Sequence, residues 1–113
     1  MSKASTTIAS LNDAFRKNLL DRSLGKTYMT SGVSALGPLF VARALSAVAA
    51  FDKFPADNDP YGEHDFGSFN LDGEKLFWKI DYYSKADPNF GSEDPSDPLK
   101  TTRVLTIMLA GEY

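Results

Sequence analysis

Apolar residues recur at helical spacing in the first stretch of the chain. Ile8, Leu11, Phe15 and Leu19 predict an amphipathic helix. Ser5, Thr6 or Thr7 can cap its start, and residues 22–25 read as its exit turn. On that spacing Asn12, Asp13, Arg16 and Lys17 point outward. KTYMT (26–30) follows as a short strand of β-formers, and 31–37 as a turn or one loose helical turn. Pro38 suits the first position of a second helix, where its missing N–H costs nothing. That helix, 39–52, carries the stripe Val41, Ala44, Leu45, Val48 and Phe51. Only Arg43, Ser46 and Lys53 face clearly outward, so it is expected to be the more buried of the two.

Beyond a loop at 55–63 the period changes from helical to alternating. Residues 64–71 and 74–83 flank Asp72-Gly73, the pair preferred by the type I′ turn, whose twist matches that of the strands it joins. A two-residue turn sets Leu71 opposite Glu74, Phe69 opposite Leu76, Gly67 opposite Trp78 and Asp65 opposite Ile80. Leu76, Trp78, Ile80 and Tyr82 are the more apolar set and should cover the helices, with Gly67 leaving room for the indole. The other face would show His64, Phe66, Phe77, Lys79, Asp81 and Tyr83, with His64 opposite Asp81; a bulged turn would dissolve that pair. A polar loop at 84–102 follows, blocked from regular structure by Pro88, Pro95 and Pro98. RVLTIMLA (103–110) closes the chain as a strand. The expected fold is α+β: two helices packed on one face of a three- to four-stranded antiparallel sheet, in a single domain spanning 1–113.

Charge divides the chain in two. Residues 1–54 hold seven Lys or Arg against three Asp, a balance of +4. Residues 55–113 hold five basic and twelve acidic side chains, a balance of −7. An acidic, aromatic half disfavours direct nucleic-acid binding and suits a basic protein surface instead. A chain of 113 residues buries roughly 65% of its unfolded surface, enough to fold without staples. It has no cysteine, which excludes disulfides and thiolate zinc sites and accords with a reducing cytoplasm. Its longest apolar run, 38–51, is shorter than the roughly 20 residues a membrane helix needs. The N-terminus lacks a signal-peptide core, so a cytoplasmic protein is expected.

Few motifs carry chemistry. Asp57, Asn58, Asp59 and Gly62 begin like a calcium loop. The pattern fails at Tyr61 and Ser68, leaving turn formation as the role and no metal or cofactor as the expectation. His64 is the sole histidine and no serine lies in a nucleophile elbow, so His64, Asp65 and Asp81 are the catalytic candidates of a small hydrolase, acting with or without a divalent ion. The binding-surface candidates are Glu63, His64, Phe66, Phe77, Lys79, Asp81, Tyr83, Glu93 and Asp94.

LNDAFR (11–16), GEHDFGSF (62–69), FWKIDYY (77–83) and GSEDPSDPLKTTRVLTIMLAGEY (91–113) resemble the bacterial DUF3768 family. The resemblance marks Glu63, His64, Asp65, Phe66, Gly67, Trp78, Lys79, Asp81, Tyr82 and Tyr83 as signature positions, and Gly111 departs from a tail that is more often acidic. It implies a small proteobacterial protein often carried on mobile elements, and it brings no activity or catalytic residue. The expectation is a non-enzymatic module that binds a protein partner, for instance an inhibitor of a host defence system of the anti-CRISPR or anti-restriction type. The alternatives are the hydrolase and a homodimeric structural protein.

Overall fold

The computed structural model describes residues 3–113. Helix α1 (Lys3–Arg16) leads into β1 (Lys26–Met29), followed by the single-turn helix α2 (Ser31–Ser34) and by α3 (Pro38–Ala49). A hairpin of β2 (Phe66–Leu71) and β3 (Glu74–Ser84) comes next. β4 (Thr101–Leu109) and a closing 3-10 turn (Ala110–Glu112) complete the chain. Helix α1 already runs at Thr6 and Thr7, so neither precedes it as a cap, and the side chain of Ser5 lies outside the described residues. Pro38 opens α3 as expected, behind Gly37 at φ 97°; the helix stops at Ala49, three residues short of the expected end.

The four strands form one sheet in the order β1-β4-β3-β2. The hairpin keeps the expected register, with Gly67 opposite Trp78, Phe69 opposite Leu76 and Leu71 opposite Glu74. Asp72 and Gly73 both take positive φ, 51° and 81°, the backbone of a type I′ turn. One pairing departs from the antiparallel expectation: β1 lies parallel to β4, Lys26 beside Val104 and Met29 beside Ile107. Antiparallel pairing of β3 with β4 fixes the direction of β4, and the short β1 joins the edge that β4 leaves free. Four residues carry no alternation strong enough to announce their pairing direction.

The helices cover one face of the sheet. Phe15, Val33, Phe40, Ala44 and Val48 from the helical layer pack on Leu76, Trp78, Ile80, Leu105 and Ile107 from the strands. The inward set predicted for β3 is therefore the observed one, with Tyr82 half-buried at its end. A Cβ on Gly67 would fall on the Trp78 indole nitrogen and come within 2.7 Å of Phe51 Cζ, so only glycine admits the indole there. Two residues of α1 contradict the outward assignment: Asn12 is 0% exposed and Arg16 2%. The apolar stripe is flanked on its inner side by the Ile8–Asn12–Arg16 row, each residue one helical turn after the last. That row faces the sheet.

Candidate functional site

Asn12 uses both amide hydrogens and its amide oxygen where α1 crosses the end of the sheet. Its Nδ2 donates to the Glu63 carbonyl at 2.9 Å and to the Tyr82 hydroxyl at 2.8 Å. Its Oδ1 accepts from Arg103 Nε at 2.7 Å. The Tyr82 hydroxyl donates onward to Glu63 Oε1 at 2.9 Å, and Arg103 Nη2 reaches the Pro95 carbonyl. One helix, two strands and the loop before β2 thus meet at a single amide, and Arg103 ties in the loop before β4. Burial moves the ionisable members toward their neutral forms: the Arg103 guanidinium is lowered and the Tyr82 phenol raised. The guanidinium lies 5.3 Å from the Tyr82 ring centroid, a cation–π contact that offsets part of its desolvation.

A second polar cluster adjoins the first. Asp59, 8% exposed, accepts the backbone N–H of Glu63 at 2.8 Å and of His64 at 3.1 Å. This tightens the loop and is the turn-forming role expected of the 57–62 segment. His64 has φ 56°, which takes it out of the strand, so the expected His64–Asp81 pair is not formed. Its ring stacks on Phe54, centroids 4.0 Å apart and planes 5° from parallel, while Nδ1 lies 3.0 Å from Asp13 Oδ1. Asp81 pairs with Lys79 at 3.0 Å instead. The Asp65 carbonyl does accept from Ile80 N–H at 2.8 Å, so the ladder runs one residue past β2 and ends where His64 turns away. Desolvation, with Glu63 as the leading charged neighbour, raises Asp65 to about 6.

Arg16 closes this cluster against the core. Its Nη2 pairs with Asp13 at 3.1 Å, and its guanidinium lies over Phe54 and Trp78 at 5.3 and 5.7 Å. Nε and Nη1 are buried without a hydrogen-bond partner, and burial lowers the group's pKa. Among the described residues, no three His, Asp or Glu side chains converge in an arrangement that could hold a metal ion. Of the catalytic candidates, His64 faces Asp13 and Asp59 and Asp81 faces Lys79, while Asp65 lies where the charges of Glu63, Asp59 and Asp81 all act on it.

On the opposite side the sheet carries no helix. Register places Phe66, Phe77, Lys79, Asp81 and Tyr83 on this face, joined by Tyr28, Val104 and Thr106. Tyr28 is 54% exposed and Tyr83 37%. Tyr113 folds back to meet Phe77 and Phe66 edge-on, at centroid distances of 5.3 and 6.0 Å. Five of the predicted binding residues therefore share one face, while Glu63 and His64 lie across the sheet in the polar clusters.

Glu93 and Asp94 belong to the ordered β3–β4 loop. Its Gly91 bridges to Tyr83, and Ser92 N–H donates to the Tyr82 carbonyl at 3.0 Å, extending the sheet beyond the end of β2. Asp87, Asp94 and Asp97 each accept the backbone N–H two residues on, from Asn89, Ser96 and Leu99. Much of this segment's acidity is thus turn chemistry.

The outward assignment of Asn12 and Arg16 hid the polar clusters. A signal was present in their spacing: two polar residues one turn apart, continuing the row from Ile8. Residues 29–112 match a family described as a protein of unknown function, DUF3768, and the chain belongs to it. The LNDAFR segment precedes the matched range. No curated protein and no solved structure matches the chain. No described helix is long and apolar enough to cross a membrane.

Proposed function

We propose that this DUF3768 protein is a non-enzymatic module that docks a protein partner through the open face of its sheet. The observation that carries the reading is the bare face itself, with Phe66, Phe77, Lys79, Asp81 and Tyr83 on neighbouring strands. Aromatic rings supply contact area at low entropic cost, and the Lys79–Asp81 pair supplies orientation. The −7 carried by residues 55–113 as a whole, with Glu93 exposed, is what suits a basic partner.

A basic groove that ordinarily holds nucleic acid is such a surface, so the specific form of the proposal is a cytoplasmic inhibitor of a host defence system. The polar clusters serve it as struts: they hold α1 and the loops against the sheet, and both His64 nitrogens face carboxylates rather than a nucleophile.

The test is affinity capture from a bacterial lysate beside the surface variant Asp81→Lys, Tyr83→Ala, with the mass of the isolated protein measured in solution. The expected result is a monomer that retains one stoichiometric partner, and loses it in the variant. Equal retention by the variant, or no partner for a folded bait, overturns the reading. A dimer whose interface contains Phe66 and Phe77 would replace it with the homodimeric one.

A further inference from the structure

A cavity of about 460 Å³ opens at the same end of the sheet as the Asn12 cluster, between the C-terminal half of α1, the turn before β1 and the start of β4. Leu11 and Leu24 give it an apolar wall. Arg22, Lys26 and Lys85 surround that wall with positive charge; Arg103 also lines it, but its guanidinium is buried and bonded to Asn12 and Pro95. No Asp or Glu lines it, although the chain holds 15 carboxylates against 12 Lys and Arg. Elsewhere among the described residues Arg16, Arg43 and Lys79 pair with Asp13, Asp72 and Asp81, while Lys17, Lys53, Lys75 and Lys100 stand singly without a carboxylate within 4.0 Å. Among the described residues, Arg22, Lys26 and Lys85 have no carboxylate within 4.0 Å.

The cavity is also rigidly built. Gly25 is buried so tightly that a Cβ would come within 2.8 Å of the Arg103 carbonyl oxygen and strike the Phe15 ring. Leu24 N–H is held by the Asp21 carbonyl at 3.1 Å, and Ser23 by the Asp21 carboxylate. The backbone between Arg22 and Lys26 is thereby fixed before any ligand arrives. Gathering three like charges at a preformed concavity raises the free energy of the empty protein, and a multivalent anion relieves it. Lysines suit a phosphoryl group as mobile point charges, and the apolar wall suits an uncharged body attached to it.

We infer that this cleft, which borders the proposed docking face at Lys26 and Thr102, is a binding site for a small organic phosphate of about mononucleotide size. The volume lies within the range of small-molecule sites. Adenosine 5′-monophosphate is the probe, followed by amide NMR on the isotope-labelled protein against sodium chloride at matched ionic strength. Saturable shifts are expected at the amides of residues 22–26 and 101–103. Affinity should be at least about tenfold weaker in the Lys26→Gln, Lys85→Gln variant, whose exposed positions leave the core untouched. Inorganic phosphate should move the same amides but bind more weakly, because it forgoes the apolar wall. Shifts reproduced by the salt control, no saturation at millimolar nucleotide, or unchanged affinity in the variant would each overturn the site. Equal affinity for inorganic phosphate would overturn its assignment to an organic ligand.

Discussion

Asn12 and Tyr82 stand 70 positions apart in the chain and meet at 2.8 Å, amide donating to phenol, at the junction of α1 with β3. Asn12 is fully buried, so its amide has no solvent partner to exchange for the phenol. Their bond therefore fixes the rotation of α1 on the sheet more sharply than the apolar stripe does, because apolar contact is non-directional.

Asn12→Ala is expected to cost about 3 kcal/mol. It removes three hydrogen bonds and leaves Arg103 Nε and the Glu63 carbonyl facing a buried void. Urea unfolding followed by Trp78 fluorescence checks it. A loss below about 1 kcal/mol would mean that water replaces the amide.

Arg16→Met should behave in the opposite way. The methionine keeps the apolar contact with Phe54 and Trp78 while deleting two buried nitrogens that have no partner, and Asp13 retains His64. Stability is expected to be unchanged or to rise by about 1 kcal/mol, since buried ionic groups are often replaced by packed apolar ones without loss. Arg16→Ala, which also opens a cavity, should lose about 2 kcal/mol. Parallel urea titrations of the two variants separate packing from charge.

Gly67→Ala tests the closest approach in the hairpin. The added methyl would collide with the Trp78 indole and with Phe51, both anchored in the core cluster. A loss of about 2–3 kcal/mol and a changed Trp78 emission spectrum are expected. Gly73→Ala is the informative companion: nothing lies within 4 Å of its Cβ, and its cost, about 1 kcal/mol, comes only from φ 81°.

The hairpin was legible in the sequence because two local rules agreed. Asp72-Gly73 dictated the turn, and the alternation from Leu76 to Tyr82 dictated the inner face. The same logic failed at His64, where a two-residue turn projects a further rung. The ladder stops at Asp65 because Asp59 captures the His64 N–H and Asp13 captures its ring. Those partners come from a loop and from a helix 51 positions away, and no periodicity reports them. Asn12 and Arg16 depart from the outward expectation for a related reason. Polarity ordinarily signals exposure, yet their partners Tyr82, Arg103 and Asp13 make burial tolerable. The aromatic face was readable from register alone. The cationic cleft was not, because it gathers residues 22–26, Lys85 and Arg103 from three separate stretches of chain.

Asp65 gives stability a pH dependence whose direction differs from that of most carboxylates. Burial near Glu63, Asp59 and Asp81 raises its pKa from 3.8 to about 6 in the folded protein. Between those values the native state binds the proton more tightly than the unfolded chain does. Its stabilising contribution is therefore complete below about pH 4 and is lost as pH climbs through about 6. Because the carboxyl is only half-buried, solvent screening reduces the effect to about 1 kcal/mol. Asp65→Asn mimics the protonated form: it should gain about that amount at pH 7 and show little difference from the parent at pH 4. Urea midpoints measured for both proteins across pH 4–8 provide the check. A constant gap between the two curves would show that Asp65 stays ionised throughout, held by contacts that outweigh its desolvation.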